Sequence, residues 1–164
     1  MIDLQLERSP GDRRLYLLHG VGTLRLPGFA SRVAVAEAEG RRWRFDRGRF
    51  WQRFVEATNE TGEPVGRFEP RSIRRGGIVR WVGRELTLRP ASSWRERYAL
   101  VDDDREVATF EGKSWGRRPV NVSVDELEQV DPGLLLFAAF VVRGLAQDAA
   151  AVAAGAASTA ATGG

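Results

Sequence analysis

Residues 131–155 read DPGLLLFAAFVVRGLAQDAAAVAAG, the most apolar stretch of a 164-residue chain. Asp131 suits an N-cap and Pro132 the first helical position, so the stretch reads as a helix over about 131–152. Leu134 to Val142 is uninterrupted apolar sequence, and Arg143 ends the run. A membrane-spanning helix needs about 20 such residues, whereas a run of this length more often marks a helix buried inside a soluble domain. A helix apolar on every side must be enclosed by protein. From Gly155 onward the residues are Ala, Ser, Thr and Gly, which predicts a disordered tail over 155–164.

The sequence before the helix supplies strands. Leu24 and Leu26 alternate with Thr23 and Arg25, and Trp43 and Phe45 alternate with Arg42, Arg44 and Asp46. Leu86 and Leu88 share one face, and Phe50–Val55, Val65–Phe68, Ile78–Val82, Trp94–Val101, Glu106–Phe110 and Pro119–Val124 continue the series. Alternation at a period of two, bounded by Gly, Pro, Asn and Asp, is the strand signature. Turn signals every 8–12 residues or so fit a sandwich or barrel. About twelve strands closing on themselves leave an interior too wide to fill with strand side chains alone, and closure removes exposed edges. The expected fold is therefore mainly β: a closed antiparallel barrel of about 12 strands enclosing a hydrophobic C-terminal helix. One domain is expected over 13–154, with a lead-in over 1–12.

Composition bounds the rest. The chain is 43% hydrophobic and 29% charged, with no cysteine, so neither a disulfide nor a thiolate metal site is available. The N-terminus lacks a basic and then apolar signal pattern, so the expected location is cytoplasmic or peripheral to a membrane. The net charge is +3, and Lys113 is the only lysine, so arginine supplies 24 of the 25 basic residues. The arginine bias has two readings, a compositional one and a functional one.

The ordered pattern resembles the tubby C-terminal-like superfamily, which includes tubby proteins, phospholipid scramblases and LURP-one-related proteins. Trp94 to Ala108, an aromatic-led strand running into the acidic turn Asp102-Asp103-Asp104, is similar to a hairpin of that family. Val120–Val124 and then Asp131–Leu145 match its last strand and buried helix in order. The acidic turn lacks the usual Asp-Gly ending, and the Pro-rich, Cys-bearing N-terminal region of scramblases is missing, so scrambling is not implied. The resemblance implies a phosphoinositide-type ligand. The Arg71–Gly77 loop, with Arg71, Arg74 and Arg75, is the expected contact for an anionic headgroup, because planar guanidinium forks suit phosphate.

Other motifs have stronger structural readings. His19 is the only histidine, so a two-histidine metal site is excluded and a turn residue is favoured over a catalytic base. Gly20-Val21-Gly22 opens a strand, where a dinucleotide fingerprint must open a helix. Asp102-Asp103-Asp104 lacks the spaced ligands and closing Glu of a calcium loop. In a strand, Arg42-Trp43-Arg44 and Arg80-Trp81 put Trp inward and Arg outward. The expected function is a non-enzymatic binding module without cofactor or metal, contacting anionic lipid or a protein partner. The alternative is a nucleic-acid-binding domain using the Arg/Trp strands.

Overall fold

In the computed structural model, which describes residues 1–28, 31–48, 54–71, 76–92, 97–111 and 120–161, twelve strands form a closed barrel. They are β1 (Ile2–Arg8), β2 (Leu15–Leu18), β3 (Gly22–Arg25), β4 (Val33–Ala38), β5 (Arg41–Arg47), β6 (Val55–Asn59), β7 (Pro64–Pro70), β8 (Gly77–Trp81), β9 (Arg84–Ser92), β10 (Arg97–Asp102), β11 (Arg105–Glu111) and β12 (Val120–Val124). Each strand pairs antiparallel with its sequence neighbours, and β1 closes the ring on β12 through Ile2↔Val124 to Leu6↔Val120. A 3₁₀ turn over Leu127–Gln129 leads into the single helix, α1 (Pro132–Ala161). The expected architecture is the one found.

Every residue from Leu134 to Val142 is at most 2% exposed. These side chains meet a wall of inward residues from all round the barrel, including Leu6, Leu18, Leu24, Phe45, Phe68, Val79, Leu88, Leu100, Phe110 and Val122. Phe45 lies 5.2 Å from Phe137, edge on, and 5.7 Å from Phe140, and Trp81 lies 5.5 Å from Phe137. Offset and edge-to-face contacts of this kind add to area burial. The strand alternation and the helix's all-round apolarity thus have one cause: each is the other's solvent-free partner.

Two boundaries differ from the sequence reading. The stretch read as a lead-in contains β1, whose Leu4 and Leu6 point into the core while Asp3 and Gln5 stay outside. It pairs with the neighbouring β2 and also with β12, more than a hundred residues away, and the local sequence gives no sign of that second pairing. On β4 the buried residues are Ala34, Ala36 and Ala38 while Val33 and Val35 are half-buried, and the helix packs closest to this strand. Small side chains admit the helix where valine would hold it away. The helix also runs on through the predicted tail to Ala161, as befits an alanine-rich sequence. Much of Phe50–Val55 and the Trp94–Glu96 start of its strand lie outside the described residues.

Gly133 sets up the first of several tests. A Cβ at this position would come within 2.7 Å of both Trp43 Cζ2 and Trp81 Cζ2. Alanine favours a helix over glycine by about 1 kcal/mol, but overpacking a well-filled core costs about 1–3 kcal/mol. The rings are buried and cannot swing into solvent, so the clash should win. Gly133→Ala is expected to lower the denaturation midpoint in urea, and a raised midpoint would mean that the rings yield.

Candidate functional site: the basic rim

The up-and-down topology sorts every connection to one of two rims. Odd-numbered strands run in the direction of α1: Trp43 on β5 lies beside Gly133, and Arg47 at the end of the same strand lies beside Gly144. The near rim, where the helix starts, therefore carries segments 19–21, 39–40, 60–63, 82–83, 103–104 and 125–131. The far rim, where the helix leaves, carries the connections that follow β1, β3, β5, β7, β9 and β11.

Charge separates along that axis. The near-rim segments contain Glu39, Glu60, Glu63, Asp103, Asp104, Asp125, Glu126, Glu128 and Asp131, with no lysine or arginine. Among the described far-rim residues, Arg13, Arg14, Arg32 and Arg71 stand against Asp12 alone. The remaining sequence between those strands lies outside the described residues. An arginine excess caused only by base composition would scatter over both rims. Arginine does occur at the near rim, but there Arg41, Arg84 and Arg105, at the starts of β5, β9 and β11, are ion-paired with Glu39, Asp131, Asp102, Asp125 and Glu126.

The barrel wall behaves differently from the rim. Its arginines are matched by carboxylates on neighbouring strands: Arg80 lies 3.1 Å from Glu69 and 3.2 Å from Glu85, and Arg67 lies 3.1 Å from Glu69. Bonding to Glu69 raises the Arg80 pKa above its usual value, and Glu85 adds to the effect. On the far rim, Arg13, Arg14 and Arg71 are exposed and none forms an ion pair with a described carboxylate. Asp12 is already engaged: its carboxylate accepts from the Arg14 backbone N–H at 2.9 Å and from Arg25 at 2.6 Å, and both bonds lower its pKa. It remains an anion except in strong acid.

Toward the far rim, Arg8 of β1 and Arg47 of β5 lie near Arg143 of the helix. Arg143 is 3% exposed, and burial lowers its pKa. Tyr16 opposes that shift, while Arg47 and Arg8 add to it, so the three cations share one electrostatic environment. Arg47 donates to Asp148 of the helix at 2.8 Å, and Arg8 contacts the Tyr16 hydroxyl at 3.4 Å. These three guanidiniums are buried or engaged, so the groups left to meet phosphate or carboxylate oxygens are the exposed Arg13, Arg14 and Arg71.

Of the three residues expected to contact a headgroup, Arg71 follows β7 on the far rim, with its backbone N–H donating to Gly76 at 2.9 Å. Arg74 and Arg75 lie outside the described residues. Sequence reasoning did not single out Arg8, Arg13, Arg14, Arg32 and Arg143, because they are assigned to one end of the barrel only once the strand directions are known.

The remaining motifs take their structural readings. His19 sits in a near-rim turn with Nε2 2.6 Å from Glu7 Oε1, both side chains exposed. Gly22 begins a strand. Asp103 occupies the left-handed region at φ 52° in a two-residue turn, a conformation Asp tolerates, and no cluster of three metal-ligating side chains occurs among the described residues. Trp43 and Trp81 are 5% and 3% exposed, so neither offers a face for base stacking. Comparison of the chain with family models, curated proteins and solved structures returns no match.

Proposed function

We propose that this chain is a non-enzymatic binding module of the tubby-like barrel type whose basic rim contacts anionic phospholipid headgroups at a membrane surface, with a cytoplasmic location. The observation that carries the reading is the uneven charge of the two ends: Arg13, Arg14 and Arg71, exposed and without an ion pair to a described carboxylate, at one end, and turns rich in carboxylates at the other. Such a molecule is an electrical dipole, drawn to a negative surface with its far rim forward and its near rim turned away. The same barrel-then-helix order underlies the resemblance noted in the sequence. Each basic side chain near an anionic surface contributes about 1 kcal/mol, so a handful of arginines is enough for reversible association.

Flotation with phosphatidylcholine vesicles, with and without about 30% phosphatidylserine, tests the reading. Binding is expected only with the anionic lipid, and it should weaken steeply as salt rises from low ionic strength, because surface attraction is screened within about 8–10 Å. It should be flat between pH 6 and about 9, since arginine stays charged throughout and the only histidine lies on the opposite rim. Equal binding to neutral vesicles would refute the reading. So would salt-sensitive binding to single-stranded nucleic acid with none to vesicles.

A further inference from the structure

The helix is too long for the barrel. Thirty residues of α-helix span about 45 Å, whereas a seven-residue strand covers at most about 24 Å even before tilting. The surplus emerges at the far rim. Burial is complete through Gly144, partial over residues 145–147, and lost over 151–155, where Val152 is 72% exposed. Beyond Asp148 the sequence AAAVAAGAASTAATGG holds no charged residue. Asp148 is itself matched by Arg47. The segment Pro132–Gly155 has a mean hydropathy of 1.6 and is long and apolar enough to cross a membrane by composition, although its first half is enclosed in the barrel.

An uncharged, alanine-rich rod emerging at the end of the barrel that carries Arg13, Arg14 and Arg71 narrows the choice of partner. A nucleic acid matches the arginines but gains nothing from the rod. A second copy matches the rod, but end-to-end approach brings two sets of arginines together. An anionic bilayer matches both: headgroups meet the guanidiniums, and the apolar segment reaches the acyl boundary beneath them. Membrane-surface binding gains from buried apolar area as well as from attraction to anionic lipid, and Val152 is the one large apolar side chain that the segment beyond Asp148 offers. We infer that the projecting half of α1, from Ala149 onward, embeds in the headgroup–acyl boundary of an anionic bilayer while the basic rim rests on its surface. The inference rests on the headgroup-binding reading and adds the element that enters the lipid.

The absence of cysteine makes single-site labelling clean. Val152→Cys and, on the near rim, Thr61→Cys would each carry an environment-sensitive fluorophore in the full chain. With phosphatidylserine-containing vesicles, the label at 152 should shift to the blue and brighten about twofold as it leaves water, while the label at 61 stays unchanged. Val152→Asp should weaken vesicle affinity about tenfold, because it places a carboxylate in the boundary. If the protein floats with anionic vesicles but the label at 152 remains aqueous, the embedding is wrong and the headgroup reading stands. If it does not float at all, both fall. A blue shift without vesicles would overturn the inference in favour of self-association.

Discussion

A Phe137→Asp variant is expected to lose the barrel altogether, whereas Val152→Asp on the same helix leaves the fold intact. Phe137 has no exposure and packs against Phe45 and Trp81. Removing a core phenylalanine costs about 3–5 kcal/mol. A carboxyl group with no partner adds about 2–7 kcal/mol more, or more still if ionised. Together they come to about 5–12 kcal/mol, comparable to the roughly 5–15 kcal/mol that typically holds a domain together. Val152 faces water, so the same change there should cost less than about 0.5 kcal/mol. Circular dichroism and thermal melting separate the outcomes. If Phe137→Asp melts cooperatively near the parent temperature, the helix is not the centre of the fold.

The second large effect concerns the rim. Replacing Arg13, Arg14 and Arg71 together by Gln should reduce affinity for phosphatidylserine vesicles about 100-fold, at about 1 kcal/mol for each cation lost. All three are exposed and none forms an ion pair with a described carboxylate, so stability should hardly change. The matched control neutralises Glu39, Glu60 and Asp104 on the near rim, which alters net charge by the same amount in the opposite direction. Its affinity should change only a few-fold through long-range attraction. If the two triple variants move affinity by equal factors in opposite directions, net charge governs binding and the rim does not.

How far the sequence could be read follows from which interactions are local. Alternation along one strand is local, so Trp43, Phe45, Leu86 and Leu88 announce their inward face without help. The unbroken run from Leu134 to Val142 likewise announces enclosure. Closure through β1 is not local, since Leu4 pairs with Val122. The alanine face of β4 was hidden for a related reason. Alanine is a weak hydrophobic signal beside valine, and it wins the interior only because a helix needs the space. The site was harder still. Arg13, Arg32 and Arg71 are ordinary loop arginines in sequence, and the odd or even number of the preceding strand decides which rim each one joins. That assignment fails if a single strand is missed, as β1 shows. Even so, the order of the whole, strands and then one buried helix, was legible because every strand and the helix require each other.

Hydrogen exchange of the free protein and of the protein on phosphatidylserine vesicles, resolved along the chain, tests the central claim most directly. Amides of residues 134–143 should exchange only through global unfolding in both samples. Those from 149 to 161 should exchange quickly in the free protein and slow markedly on vesicles, while the near-rim turns at 39–40 and 103–104 stay unchanged. Fast exchange over 134–143, or protection appearing at the near rim instead of the helix end, would contradict a barrel that encloses half of its helix and offers the other half, beside exposed arginines, to a membrane.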